Sequence, residues 1–512
     1  MITFLKHLNL AVLFRKMGIV IRQTIKGTIW SYLGVIIGFI TTSYFFPNYL
    51  TTEVVGLLGL LVSYSQLFGS LSLLGLPGVT SRLFSYFRNK ENGHNGFLFI
   101  ALLFHLAGIV LFLLAFFLFK PLLIETNIDD SPLLVQYLYL LVPLTVAVML
   151  FVFLDTFNKV LYDAVFGTFL QEFLQRFLIL AVTILYVTRI ISLEHFVIGY
   201  AIAIMSKAII ILFFLLRRKA IDLKPRLDFL DRPMRRELAS VAIFSLVSGM
   251  GSLIVFNLDK IIINQMLDLS NTGVYTIAFY FGSLIAMPSR PLLKISGTLI
   301  ADAWRNNDLG TISRIYNKSC LNQLIIGGLL FLGVWANIDN VLIILGDDYL
   351  EGRWVIFFIG MGYLIDMSTG ANGQIINFSK YYRTSLLFIS ILIGLVVVSM
   401  RLLIPLWGIV GAAVAIAASL LFNNLMRFLF LRSKFGFQPF TIHSLLVIAI
   451  YLCIYFIQLL LPAMPFLPDL LVRSTFIVVV SFLIFWNFPI SEDLKYLKQV
   501  VIAKLKERKI FK

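Results

Sequence analysis

The sequence predicts an all-α polytopic membrane protein with about fourteen transmembrane helices. Sixty per cent of its 512 residues are apolar and only 13% are charged, whereas soluble chains carry about 25% charged residues. Runs of about 20 apolar residues, long enough to cross a ~30 Å hydrocarbon core, recur along the whole chain. The strands of a membrane β-barrel would alternate apolar and polar residues, and these runs do not alternate.

The apolar runs predict fourteen spans in chain order. They are 27–46, 54–76, 97–119, 133–155, 168–188, 194–216, 238–264, 273–295, 319–338, 353–375, 385–404, 407–430, 443–461 and 470–489. A strongly basic segment, 217–236, separates the first six from the others, because eight of its twenty residues are Lys or Arg.

These boundaries predict six regions. They are an N-terminal extension (1–26), an N-lobe of helices 1–6 (27–216), a basic linker (217–237), a C-lobe of helices 7–12 (238–431), two further helices (432–489) and a basic tail (490–512).

The basic residues predict the orientation of the chain in the bilayer. Connections on one side of the spans carry few Lys or Arg, whereas the opposite connections and both termini carry most of the 42. The positive-inside rule therefore places both termini in the cytoplasm. The net charge of +16 follows the topology and suits anionic lipid headgroups rather than nucleic acid. The outer connections, of which 337–352 is the longest, leave no room for a folded outer domain.

A weak internal repeat links the two lobes. A shift of 217 residues places Ser31 on Ser248, Gly34 on Gly251, Phe39 on Phe256, and 50–56 on 267–273. Six spans separate the copies, so both have the same orientation, which predicts lobes related by a pseudo-twofold axis along the membrane normal. Gly34 and Gly38 also form a G-x-x-x-G pattern, which permits close helix packing.

Three segments together resemble the polysaccharide-repeat flippases of the multidrug/oligosaccharidyl-lipid/polysaccharide exporter superfamily. They are 17–35 (MGIVIRQTIKGTIWSYLGV), 50–58 (LTTEVVGLL) and 405–415 (PLWGIVGAAVA). The resemblance implies two six-helix lobes and two additional C-terminal helices. It also implies alternating access in the cytoplasmic (inner) membrane, with an undecaprenyl-pyrophosphate-linked oligosaccharide as cargo for a surface polysaccharide such as O-antigen lipopolysaccharide or capsule. Polysaccharide polymerases and glycosyltransferases are the protein partners that the resemblance suggests.

Two cations inside predicted spans are candidates for binding the pyrophosphate, because a charge within a span is costly unless it is paired or hydrated. Lys207 lies near the middle of the sixth span, and its alternative role is a structural ion pair. Arg290 lies between Pro288 and Pro291, which should break the eighth helix, and its guanidinium could grip a pyrophosphate. The alternative for Arg290 is a side chain that extends to the membrane surface.

Carboxylates and amides inside spans supply the other candidates. Asp366 is the best lone acid for binding H⁺ or Na⁺, unless the Ser368 and Thr369 hydroxyls or Lys207 satisfy it. Asp259, beside Lys260, is a second candidate for ion coupling; its alternative is charge neutralisation. Gln66 and Asn257 are candidates for contacting sugar hydroxyls. Glu172 and Arg176, spaced i,i+4, are predicted to form a structural helix pair.

The sequence contains no motif for covalent chemistry. It has no G-x-x-x-x-G-K-[S/T] phosphate loop and no H-E-x-x-H zinc pattern, so we expect no nucleotide, no metal site and no cofactor besides a coupling H⁺ or Na⁺. Cys320 and Cys453 lie in apolar segments and are not expected to form a disulfide. The expected activity is therefore transport and not catalysis. The alternatives are a drug or cation exporter of the same superfamily and a membrane glycosyltransferase or polymerase.

Overall fold

The computed structural model describes residues 19–89, 91–226, 230–462, 464–488 and 490–510, and every regular element within them is a helix. Residues 1–18 of the predicted extension (1–26) lie outside these residues. The chain forms two compact units, the first ending at Ile261 and the second beginning at Ile262. The boundary falls within one long helix, and the six predicted regions stay a prediction.

Among the described residues, the first unit contains seven helices and most of an eighth. They are α1 (Ile19–Ile40, continued by the π-helical Thr41–Phe45 and by Phe46–Tyr49), α2 (Thr52–Ser72), α3 (Leu76–Phe87), α4 (Phe97–Asn127), α5 (Pro132–Val160), α6 (Val165–Val187), α7 (Leu193–Arg217) and α8 (Arg232–Met266).

The second unit contains the remaining helices. They are α9 (Leu269–Ser283), α10 (Ser289–Arg305), α11 (Leu309–Ala336), α12 (Ile338–Leu345), α13 (Gly352–Ser368), α14 (Asn372–Phe378), α15 (Thr384–Phe435), α16 (Ile442–Gln458), α17 (Phe466–Asn487) and α18 (Glu492–Ile510).

The helices are consistent with the fourteen predicted spans. Among the described residues, nine helices are long and apolar enough to cross a membrane, or ten if α13 and α14 form one bent span. The helix α15 covers two predicted spans, because its backbone leaves the helical conformation at Trp407 and Gly408. Gly408 has φ +54° and ψ −136°, a conformation that glycine adopts readily. The sequence did not predict the short helix α3 or the helix α18 in the basic tail.

The predicted break beside Arg290 is confirmed. The helix α9 ends at Ser283, a 3₁₀ turn covers Leu284–Ala286, and α10 begins at Ser289. Pro288 lacks an N–H and cannot donate a hydrogen bond to the carbonyl four residues before it, which favours an interruption here.

The two segments of the internal repeat share a local structural role. Thr51 caps α2, with its side chain accepting a hydrogen bond from the Val54 N–H, and Asp268 caps α9 through the Asn271 N–H at 2.7 Å. The 217-residue shift places Thr51 on Asp268. Both side chains satisfy an N–H group that the first helical turn leaves unpaired. In both matched segments, a capping side chain therefore stabilises the start of a helix at the same position.

The G-x-x-x-G pattern of α1 brings this helix against α6. A Cβ at Gly34 would lie 1.8 Å from the Glu172 carbonyl oxygen, and a Cβ at Gly38 would lie 3.1 Å from the Arg176 side chain. The segment Phe169–Leu174 of α6 is π-helical, so its backbone bulges next to this contact. The predicted close packing is confirmed, and only glycine fits at Gly34.

We expect Gly34→Ala to lower the free energy of unfolding by about 1–3 kcal/mol, because the added methyl group would force α1 away from α6. Gly394→Ala is the matched control, since a Cβ at Gly394 meets nothing within 4 Å. The control should be neutral or slightly stabilising. Thermal unfolding of the purified protein in detergent measures both variants. Equal melting temperatures for the two variants would contradict the packing at Gly34.

The two C-terminal helices, α16 and α17, pack on α11. The Tyr451 ring of α16 covers Gly328, where a Cβ would lie 2.6 Å from the ring, and its hydroxyl donates to the Ile325 carbonyl at 2.6 Å. On α17, Asp469 accepts hydrogen bonds from Arg473 and from Asn340 of α12, both at 2.7 Å. Apolar contact and a buried polar network thus attach these helices to the second unit.

Candidate functional site: a polar network at a broken helix

The second unit contains a broken helix of the kind that exposes backbone groups within a membrane protein. The helices α13 and α14 are bent by 51° across the break that follows Ser368. Gly370 has φ +60°, and a Cβ there would lie 2.5 Å from the Ser319 hydroxyl oxygen. The Ala371 N–H donates to that same oxygen at 3.0 Å. Side chains of α11 therefore satisfy the interrupted backbone, as a break at membrane depth requires.

Asn424 of α15 is the centre of a side-chain network at this break. Its amide nitrogen donates to the Asp366 carboxylate at 2.9 Å and to the Leu420 carbonyl at 3.0 Å. Its amide oxygen accepts hydrogen bonds from the Thr369 hydroxyl at 2.8 Å and from the Asn372 amide at 2.9 Å. One fully buried amide therefore joins α13, α14 and α15 and orients the carboxylate of Asp366.

Arg427 adds a positive charge to the network. It lies three residues after Asn424 on α15, and its Nη1 would be 3.2 Å from a Cβ at Gly373. The charges of Arg427 and Asp366 interact, although no ion pair within 4 Å joins them in the described structure. Glycine at 373 thus makes room for the guanidinium.

The structure rejects one of the two alternatives for Asp366. The Ser368 hydroxyl donates to the Ile365 carbonyl at 2.8 Å, and the Thr369 hydroxyl donates to the Asp366 carbonyl and to Asn424. The alternative in which these hydroxyls satisfy the carboxylate is wrong, because both hydroxyls bond to helix carbonyls or to Asn424. Sequence reasoning missed Asn424 and Arg427. The signal was a pair of asparagines and an arginine within an otherwise apolar run.

Lys207 lies on α7 in the first unit, half-buried, with its Nζ 4.7 Å from the centroid of the Phe151 ring. The carboxylates of Glu172 and Asp155 attract it electrostatically, but each is paired elsewhere. Asp155 pairs with Lys159 at 2.5 Å, and Glu172 pairs with Arg176 at 2.9 Å. Within the described part of the chain, Lys207 therefore forms no ion pair.

The Glu172–Arg176 pair is formed as predicted, at the contact between α1 and α6. Asp155 has a second constraint, because a Cβ at Gly167 would lie 1.6 Å from its Oδ1. This oxygen is buried and has no hydrogen-bond partner among the described residues. The helices α5, α6 and α7 thus hold several charged side chains within the first unit.

The other predicted residues lie on separate helices. Arg290 is exposed in the first turn of α10, and the described residues provide it with no ion pair. Gln66 is half-buried on α2. Asn257 and Asp259 are both buried near the end of α8. Asp259 lies 3.8 Å from the Lys260 ammonium, which fits the alternative of charge neutralisation.

The described residues contain no group of three or more metal-ligating side chains, and both cysteines are free. Hydrogen bonds from the Thr311 hydroxyl and backbone lower the pKa of Asp308, which caps α11.

A family model described as polysaccharide biosynthesis protein matches residues 21–293, which is more than half of the chain. The chain belongs to this family. The resemblance that the three sequence segments indicated is therefore confirmed, and the match includes α1 to α9, Lys207 and Arg290. No curated protein matches the chain in sequence.

Two solved structures show the fold of this family member. Lipid II flippase MurJ in its inward closed conformation has a TM-score of 0.68 at 14% identity, covering 91% of this chain and 99% of that protein. An inward-facing multidrug resistance MATE transporter of the MOP superfamily has a TM-score of 0.60 at 14% identity, covering 79% and 94%. The predicted multi-pass, all-helical membrane fold is confirmed.

Proposed function

We propose that this protein is a flippase that moves undecaprenyl-pyrophosphate-linked oligosaccharide repeat units across the cytoplasmic membrane by alternating access. The single observation that carries this proposal is the match of residues 21–293 to the polysaccharide biosynthesis family. The transported repeat unit is used to build a surface polysaccharide. A polymerase and glycosyltransferases act before or after this transport step. Both termini lie in the cytoplasm, in keeping with the distribution of Lys and Arg.

The fold supports transport rather than catalysis. It is shared, over nearly the whole chain, with a protein named lipid II flippase. Two of the connections between helices are very short: four residues join α4 to α5, and two residues join α8 to α9. Such connections leave no room for the acid–base groups of a sugar-processing site, which disfavours a membrane glycosyltransferase or polymerase. A drug or cation exporter is the second candidate, because the fold also matches a MATE transporter.

Each candidate residue has a role in this proposal. Lys207 and Arg290 bind the pyrophosphate, since both are cations without a described ion pair and charge-assisted hydrogen bonds to phosphate are strong. Gln66 and Asn257 contact sugar hydroxyls. Asp366 binds the coupling H⁺ or Na⁺, supported by the hydrogen bond from Asn424 that fixes its carboxylate.

A second ion-coupling role is assigned to Asp259, which is fully buried and shares its charge with Lys260. Asp259 is a weaker candidate than Asp366, because the neighbouring Lys260 already neutralises its charge.

Reconstitution into proteoliposomes distinguishes the two transport candidates. An undecaprenyl-pyrophosphate-linked oligosaccharide is placed in the vesicles, and a membrane-impermeant glycosidase reports how much of it reaches the outer leaflet. We expect exposure of the sugar to increase only in vesicles that contain the protein. In a parallel experiment, the same proteoliposomes are given an organic cation as the substrate for transport. Transport of the cation without movement of the oligosaccharide would refute the proposal in favour of the exporter.

A further inference from the structure

A pocket of about 450 Å³ opens on the first unit where the spans of α1, α5, α6 and α7 each have one end. The residues that line it come from the start of α1, from the connection between α5 and α6, and from the residue after α7. They are Gln23, Lys26, Leu161, Tyr162, Asp163, Val165 and Arg218. Apolar spans begin at Lys26 and at Val165, and two others end at Val160 and at Arg217. The pocket therefore lies at the boundary between hydrocarbon and water, at the depth of lipid headgroups.

Hydrogen bonds hold the walls of this pocket in place. The Gln23 amide nitrogen donates to the Tyr162 carbonyl at 2.5 Å, and the Gln23 amide oxygen accepts from the Ala164 N–H at 3.4 Å. Arg88 donates to the Val160 carbonyl at 2.6 Å and to the Tyr162 hydroxyl. Its guanidinium also lies 4.6 Å from the centroid of the Tyr162 ring. Gln23 of α1 and Arg88, the residue that follows α3, thus hold the connection between α5 and α6 in place.

The charges around the pocket do not balance. Arg218 donates to Asp163 at 3.0 Å, so these two side chains offset each other. Lys26 is exposed, and neither Lys26 nor the flanking Arg88 has a carboxylate within 4 Å in the part of the chain that the structure describes. Three cations and one acid leave an excess of two positive charges. Arg218 also keeps further N–H donors, since a guanidinium has five.

We propose that this pocket binds the phosphate group of an anionic membrane lipid. The cytoplasmic leaflet concentrates such lipids, and basic residues near its surface attract them. A phosphate at this depth would accept hydrogen bonds from Lys26 and Arg218, while the acyl chains would follow the apolar surface of α1 and α6. The site is independent of Lys207, Arg290 and Asp366, so its failure and the failure of the flippase proposal are separate results.

Native mass spectrometry of the detergent-purified protein tests the site, with phosphatidylglycerol as the anionic probe and phosphatidylcholine as the zwitterionic one. We expect phosphatidylglycerol to bind more tightly. Lys26→Gln should weaken its binding about five-fold, the effect of one surface lysine. Asp163→Asn should strengthen the binding, since it removes the one negative charge of the pocket and leaves an oxygen to accept the Phe166 N–H.

Lys224→Gln is the matched control, because Lys224 is an exposed lysine outside the pocket. It should bind phosphatidylglycerol as the unmodified protein does. Competition with inorganic pyrophosphate identifies the source of the phosphate. If pyrophosphate displaces the lipid, the site also accepts soluble phosphate. If the lipid stays bound, the site is one for lipid headgroups. Equal phosphatidylglycerol binding by Lys26→Gln and Lys224→Gln would overturn the proposal, as would equal binding of the two lipids.

Discussion

Asp366→Asn is expected to abolish the stimulation of transport by an H⁺ or Na⁺ gradient and to slow driven transport at least about ten-fold. An amide cannot be protonated near neutral pH and carries no charge to hold Na⁺. It can still accept the hydrogen bond that Asn424 donates at 2.9 Å, so the junction of α13, α14 and α15 should survive. Transport by proteoliposomes with and without each imposed gradient measures the effect.

Asp302→Asn is the control for this substitution, because Asp302 is an exposed acid on α10 outside the network. It makes the same change of charge and should respond to the gradients normally. Thermal unfolding of Asp366→Asn separates a lost coupling site from a damaged fold. A variant at Asp366 that keeps its full response to both gradients would exclude this carboxylate from coupling.

Removing both candidate anion ligands, with Lys207→Met and Arg290→Gln together, is expected to reduce oligosaccharide transport at least about a hundred-fold. Each hydrogen bond to a charged group contributes about 1.5–3 kcal/mol, and the double variant loses two such cations. Neither residue has an ion pair within the described structure, so their removal leaves no buried carboxylate without its partner. Protein levels in the membrane should therefore stay normal. Flipping by proteoliposomes with matched protein content provides the measurement.

The pair Lys120→Met and Arg305→Gln controls for the loss of two positive charges. Lys120 is exposed in α4, and Arg305 is exposed at the end of the same helix that carries Arg290. This control should transport normally. Undiminished transport by the Lys207 and Arg290 double variant would remove both residues as ligands of the pyrophosphate.

The sequence alone determined the features that depend on local composition and short spacing. Hydrophobic runs predicted the helical membrane fold, because a span needs only about 20 consecutive apolar residues. Pro288 predicted the break between α9 and α10, since a proline removes one hydrogen bond of a helix and favours a kink or break. The four-residue spacing of Glu172 and Arg176 predicted their ion pair.

Only the tertiary structure decided which distant residues meet. Asn424 reaches Asp366 across 58 positions of sequence, and Gln23 reaches Tyr162 across 139. Neither contact has a periodic or compositional signal, because hydrophobicity specifies that a helix is inserted and not which neighbour its polar residues face. The partner of a polar side chain within a membrane is set by helix packing, where close approach at glycines such as Gly373 makes room for it. The coupling network and the phosphate pocket therefore became visible only in three dimensions.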